Sequence, residues 1–157
     1  MIRASRPVVI VDPREQHAYT FPSGRVTTER GTLPAGDYSV RGLESTVAIE
    51  RKSLADFANT VVGDRDRWKR ELVRLQGYPV AVVIVEACVH DLLAPVETRQ
   101  FQGGALASSL LSAFVAIVTD YRIPVVWAGD RATAERVTEA MLLRVALAQQ
   151  PFRLEPQ

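Results

Sequence analysis

The chain has 157 residues, 47% hydrophobic and 24% charged, which suits one globular domain and excludes a disordered or fibrous chain. A net charge of +1 excludes a uniformly basic nucleic-acid binder, so any grip on a polyanion has to come from locally grouped charge. The single cysteine, Cys88, excludes an internal disulfide and any all-cysteine metal site, and is simplest in a reducing compartment.

Met1 to Arg6 leads straight into a short strand with no secretory leader pattern, and Val8 to Val11 is a buried apolar run ending at Asp12. Asp12, Arg14 and Glu15 read either as a turn with a surface ion pair or as site groups, because site residues often sit at the carboxyl ends of strands in α/β folds. Gln16 to Thr32 has no clear period and contains Pro22, Ser23, Gly24 and Gly31, so a loop is expected. Leu33-Pro34-Ala35-Gly36 is a turn that delivers Asp37. Gly36 is an ordinary turn glycine, a point where a phosphate approaches the backbone, or both.

Asp37 precedes a short strand, Tyr38 to Arg41, and Gly42 to Ser45 suits a hairpin back to Val47. Val47 to Lys52 then alternates sides: Glu50 and Lys52 share one face, about 7 Å apart, and Arg51 projects from the other. Three apolar residues running into three charged ones is a costly way to end a buried strand, since unpaired buried charges cost several kcal/mol. The hairpin brings Asp37 beside Glu50 and Lys52. Two carboxylates with water and phosphate suit Mg2+, with Mn2+ able to substitute.

Ser53 is an N-cap, with Asp56 placed to complete a capping box, for a helix to about Val62 whose apolar stripe is Leu54, Phe57, Ala58 and Val61. Gly63-Asp64 breaks the chain before a helix from Arg65 to Gln76. Trp68, Leu72 and Leu75 face its core, and Arg67, Arg70 and Arg74 form a basic stripe joined by Arg65, Lys69 and Arg51. Such a stripe is a solvated face, or, beside a metal site, a set of phosphate contacts that positions a duplex without reading its sequence.

Pro79 to Glu86 reads as a fully buried strand. His17 and His90 have no partner at ligand spacing and are expected at the surface. A loop around Pro95 to Gln102 leads to a helix from Gly103 to about Tyr121. That helix is apolar over too wide an arc for one buried face, so it is central or covered by another subunit. Its apolar stretch, Ala105 to Val118, contains serines and falls short of the roughly 20 residues of a membrane span. A strand from Ile123 to Trp127 and an amphipathic helix to about Ala148 follow.

Val11-Asp12-Pro13-Arg14-Glu15, Gly36-Asp37-Tyr38 and Glu50-Arg51-Lys52-Ser53 with Asp56 together resemble the XPF-type structure-specific endonuclease domain of the PD-(D/E)XK nuclease superfamily. The similarity runs over roughly residues 8–147. It implies an α/β fold with a restriction-endonuclease-like mixed central sheet flanked by helices, a nuclease domain over 1–148 and a tail over 149–157. It further implies that Asp12 and Glu15 join Asp37 and Glu50 as metal ligands, that Arg14 lies near the scissile phosphate and that Asp56 faces Lys52 or the metal.

The expected catalytic set is Asp37, Glu50, Lys52, Arg51, Arg14 and Asp56, with Arg14, Arg51, Arg65, Arg67, Lys69, Arg70 and Arg74 on DNA. Arg51 and Arg14 would clamp phosphate oxygens, and Lys52 would orient the attacking water or offset phosphorane charge. Lys52 and Lys69 are the only lysines among many arginines, which suits a role at position 52 that arginine cannot fill. The family cuts branched or flapped DNA near duplex–single-strand junctions in repair or recombination and pairs through its C-terminal helices, so a homodimer or heterodimer is expected.

Members usually carry a tandem helix-hairpin-helix module or a helicase, which these residues do not contain; an excised domain and a stand-alone protein both fit. The location implied is cytoplasmic at the nucleoid, or nuclear in a eukaryote. Two other readings stand beside this one: a catalytically silent DNA-junction scaffold, and a resolvase or general nuclease on the same fold.

Overall fold

The computed structural model describes residues 6–94 and 104–149. Its strands β1 (Val8–Val11), β2 (Thr27–Arg30), β3 (Tyr38–Val40), β4 (Val47–Lys52), β5 (Val80–Val85) and β6 (Val125–Trp127) form one mixed sheet in the order β2-β1-β3-β4-β5-β6. β1–β3 and β3–β4 are antiparallel, while β1–β2, β4–β5 and β5–β6 are parallel. The predicted hairpin between β3 and β4 forms, with Tyr38 opposite Ile49. β4 and β5, both inside the sheet, pair along their whole lengths from Val47–Val80 to Lys52–Val85.

Period-two alternation along these strands divides the core into two layers. Ala48, Val83 and Val85 face one layer, packed against Phe57, Ala58 and Val61 of α1 (Leu54–Val62) and Trp68, Leu72 and Leu75 of α2 (Arg65–Gln76). The same layer takes Leu92 of α3 (Val89–Leu93) and Leu110 and Ile117 of α4 (Gly104–Thr119). Val47, Ile49, Val82 and Ile84 face the other layer, covered by Ala134 and Leu142 of α5 (Arg131–Ala148) and by Tyr19, Phe21 and Val26.

The sequence places α1 and α2 at the residues where they occur. Ser53 and Asp56 make the capping box, with Asp56 N–H donating to Ser53 Oγ at 3.0 Å and Ser53 N–H to Asp56 Oδ2 at 3.1 Å. The segment 16–32, expected as a loop, is irregular up to Val26 but contains the strand β2. Its aromatics pack on the sheet, Tyr19 stacked on Tyr38 at 5.2 Å between centroids. β2 follows as a fully exposed edge strand.

Three expectations need correction. β5 is buried only from Val82 onward, Val80 and Ala81 being half-buried. α3 was not anticipated, and α4 ends at Thr119, two residues early. The loop expected at Pro95 to Gln102, and most of the tail, lie outside the described residues. His17 and His90 are exposed as expected. No helix among the described residues is long and apolar enough to cross a membrane.

α4 is neither central nor fully covered. Leu110 and Ile117 are buried, but Leu111, Val115 and Val118, spaced one helical turn apart, are 38%, 45% and 43% exposed.

Candidate active site

The ends of β4 and of the turn before β3 meet in an open cleft, with α1 and α2 forming its far wall. Asp37, Glu50 and Lys52 line it together, with Glu15, Arg14, Asp56, Trp68, Glu71 and Arg74 around them. Asp37 is placed by three bonds to the backbone. Its N–H donates to Ile49 O at 2.8 Å, its carbonyl accepts from Asp12 N–H at 2.9 Å, and its Oδ2 accepts from Arg51 N–H at 2.8 Å. Glu50 and Lys52 lie on the same face of β4, as the alternation requires, and pair at 3.1 Å with both side chains only 12% exposed. Lys52 Nζ also sits 4.3 Å from the centroid of the Trp68 ring, whose π face favours a cation.

Burial governs the electrostatics here. It pushes the Asp37 carboxyl up to about 8, with repulsion from Glu50 adding to it and the Arg51 amide opposing it. Burial likewise raises Glu50; Lys52 opposes the shift and Glu71 reinforces it. Two carboxylates that resist ionising beside a single lysine make a strong position for a cation. Among the described residues, Asp37 Oδ1 and Glu50 Oε2 carry no hydrogen bond or ion pair. Both donors are hard oxygens, the type that Mg2+ and Mn2+ prefer. Such an ion fits this pair.

The larger cluster of four carboxylates is not assembled. Among the described residues no group of three or more His, Cys, Asp or Glu side chains is gathered to hold a metal. Asp12, 1% exposed, is consumed within its own turn: Oδ1 accepts from Arg14 N–H and Nε–H, and Oδ2 from Arg14 Nη2–H and Leu33 N–H. Burial would raise its pKa, but the Arg14 side chain and these amides outweigh that and hold it below the ordinary carboxylate value. Glu15 reaches the cleft but accepts from His17 N–H at 2.6 Å and from Arg51 Nε–H at 2.7 Å.

Arg51 departs furthest from expectation. Its side chain is 6% exposed and lies on the opposite face of β4, ion-paired with Glu15 at 2.7 Å and Glu86 at 2.8 Å, and 3.7 Å from Asp56. A guanidinium so enclosed is a brace, not a phosphate clamp. Tyr19 Oη–H and Arg131 Nη1–H both donate to Glu86 Oε1, tying the start of α5 to the same network. Asp56 caps α1 and lines the cleft, half exposed.

The basic stripe splits. Arg67 and Arg74 line the cleft with Arg14, whose side chain is 60% exposed, whereas Arg65, Lys69 and Arg70 are exposed on α2 but stand outside it. Sequence reasoning missed Glu71, Glu86, Tyr19 and the Trp68 seat for Lys52. Glu71 lies three residues after Trp68, next to the apolar stripe of α2, which was the one available signal.

Removing Arg51 leaves Glu15 and Glu86 as buried charges without their main partner. Arg51→Met is therefore expected to lose about 3–5 kcal/mol of stability in urea unfolding, against less than about 0.5 kcal/mol for Arg65→Ala. Equal midpoints for the two variants would show that the network is no brace.

A second expectation concerns pH. Asp37 holds its proton in the folded chain up to about 8 but releases it near the ordinary 3.8 when unfolded. Between those values the folded state binds more protons, so this group lowers stability as pH rises, fully so above about 8. In chelator, Asp37→Asn should exceed wild type by at least about 1 kcal/mol at pH 8.5, with the gap closing near pH 4. A gap independent of pH would contradict the assignment.

The sequence profile of the ERCC4 domain matches residues 11–141. No match is found among curated protein sequences. The fold is similar to XPF from Aeropyrum pernix, with a TM-score of 0.69 and 28% identity over 91% of this chain and 66% of that one. It is also similar to XPF from Aeropyrum pernix in complex with DNA, with a TM-score of 0.68 and 27% identity over 95% of this chain and 69% of that one. The chain thus spans about two thirds of the length of these structures. The mixed six-stranded sheet with its flanking helices is the XPF nuclease-domain fold, and the chain belongs to the ERCC4 domain family.

Proposed function

We propose that this chain is a metal-dependent DNA endonuclease that hydrolyses phosphodiester bonds near branched or flapped junctions, in repair or recombination. The observation that carries the reading is the convergence of Asp37, Glu50 and Lys52 on one cleft, two buried carboxylates and an amine drawn from neighbouring strands. A solved XPF structure is a complex with DNA, which supports DNA as the partner.

Asp37 and Glu50 would hold Mg2+ or Mn2+ through their free oxygens. When bound, the ion polarises a phosphoryl oxygen and lowers the pKa of a water. Lys52, seated between Glu50 and Trp68, keeps its ammonium at the cleft, where it orients the attacking water or offsets charge building on the phosphoryl oxygens. Arg51 also lines the cleft but is enclosed, so Arg14, Arg67 and Arg74 are the exposed arginines there that suit the flanking phosphates. Neither Arg51 nor Asp12 has a part in this scheme beyond holding the site in shape.

The silent-scaffold reading is disfavoured by the same geometry. Gathering Asp37 and Glu50 under repulsion costs stability, which a protein that only binds DNA has no use for. With Mn2+, wild type is expected to nick flap DNA; Asp37→Ala and Lys52→Met should cut at least about a hundredfold more slowly while binding DNA as tightly. Binding without cutting by wild type, across fork, flap, four-way and linear substrates, would favour the scaffold. Preference for four-way DNA would favour a resolvase.

Pairing of two subunits through the C-terminal helices completes the proposal, supported by the exposed Leu111, Val115 and Val118 on α4. A contiguous apolar stripe of this kind along one helix suits a partner's helix. Val115→Glu is expected to shift the sedimentation of the chain from dimer to monomer with an unchanged melting temperature. Wild type that sediments as a monomer at micromolar concentration would remove the homodimer and leave a different partner chain to occupy the stripe.

A further inference from the structure

α2 carries a carboxylate that the catalytic scheme does not use. Glu71 is 17% exposed, and both of its oxygens are engaged, Oε2 with Arg74 Nη1 at 2.9 Å and Oε1 with the backbone N–H of Gly36 at 2.9 Å. Gly36 immediately precedes Asp37, and it is built into the site tightly. Its φ is +73°, and a Cβ there would meet Ile49 O at 3.0 Å and Ile49 N at 3.2 Å, so the peptide lies flat against β4. On that side the sheet ladder gives no acceptor for the Gly36 N–H, and among the described residues its hydrogen bond is to Glu71.

Three contacts hold Asp37 itself to Ile49, Asp12 and Arg51, all on the sheet. Among the described residues Glu71 makes the one hydrogen bond from the helical wall to this turn, beside the packing of Ala35 into the same apolar cluster as Trp68, Leu72 and Leu75. Its place there is not an electrostatic convenience, because its charge works against the ionised form of Glu50.

We infer that Glu71 is a positioning residue, which locks the Gly36–Asp37 peptide to α2 and thereby sets the Asp37 carboxylate at its working distance from Glu50. This rests on the nuclease reading for its consequence, but the contact itself does not. What matters is a reaching acceptor and not the negative charge. The side chain acts through Asp37 and touches neither phosphate nor water in the reaction.

Three substitutions separate reach from charge. Glu71→Gln keeps an acceptor at the same length without the charge, Glu71→Asp keeps the charge but falls a methylene short, and Glu71→Ala removes both. A misplacement of about 1 Å at a reacting group can cost on the order of a hundredfold in rate. Glu71→Asp and Glu71→Ala are therefore expected to lose tenfold to a hundredfold in kcat on flap DNA, with KM for DNA within about threefold of wild type, whereas Glu71→Gln stays within about threefold in both. Backbone amide exchange at Gly36, followed by NMR, should quicken at least about tenfold in Glu71→Asp and Glu71→Ala and hold in Glu71→Gln.

Glu71→Gln as impaired as Glu71→Asp would overturn the inference in favour of a charge role, and wild-type rates and exchange in Glu71→Ala would overturn it outright. If wild type itself cuts none of the substrates, the nuclease reading fails. Gly36 exchange and Mn2+ titration by calorimetry, weakened at least about tenfold in Glu71→Asp if the inference holds, still decide the role of Glu71 in that case. Glu71→Asp serves alone should Glu71→Ala not fold.

Discussion

The structure turns on what β4 does with three consecutive charges. The pleat sends Arg51 one way and Glu50 and Lys52 the other, so a single strand end serves two opposed sites. On one face the Arg51 guanidinium is enclosed by Glu15 and Glu86, and its burial is compensated by two short ion pairs. On the other face Glu50 and Lys52 open into the cleft beside Asp37 with less than full compensation. The closed network holds the strand end rigid, and the open face has groups left over for a ligand. A slip of one residue in β4 would exchange these roles and leave the cleft with one arginine and no carboxylate from this strand.

The closed side reaches further than β4. Glu86 directly follows β5, Tyr19 belongs to the irregular segment after β1, and α5 opens with Arg131, whose guanidinium also donates to the carbonyls of His17 and Ala18. One buried carboxylate therefore joins the loop that delivers Glu15 to the helix on the far side of the sheet. The irregular stretch 16–26 is held by Tyr19 and Phe21 packed on Tyr38, and by Glu135 accepting from Thr20 and Phe21 N–H groups. This explains how a segment without helix or strand still places site residues to fixed positions.

Most of this was legible in the sequence, for identifiable reasons. A continuous apolar run marked β1, alternation marked β4 and helical periodicity marked α1 and α2, while the Ser53–Asp56 capping box fixed where α1 starts. The alternation Glu50-Arg51-Lys52 already stated that Arg51 points away from its neighbours. The expectation that it would nonetheless bind phosphate ignored that geometry, and the structure shows the consequence. Asp12 was misplaced for a related reason: a motif records which residues occur together, but not that Arg14 and the Leu33 amide would absorb every acceptor position of the carboxylate. Glu71 and Glu86 were out of reach, because their partners are 35 residues away in the chain in both cases: Gly36 for Glu71 and Arg51 for Glu86. No local pattern encodes a tertiary partner at that separation. α4 is the opposite case: its excess of apolar residues was visible, and the fold leaves Leu111, Val115 and Val118 uncovered as that excess implied.

The charge layout of the cleft follows from these constraints and bears on how a polyanion could be handled there. Asp37 and Glu50, whose carboxyls resist ionising, lie together in the cleft, and Arg14, Arg67 and Arg74 are among the cationic side chains that line it. Each of those arginines is partly neutralised by an acid of its own, Asp12, Asp64 and Glu71 in turn. A phosphate backbone would meet no continuous basic surface, which agrees with a net charge of only +1. On the reading proposed above, affinity for an extended duplex would draw on Arg65, Lys69 and Arg70 outside the cleft, or on a second subunit over the exposed stripe of α4.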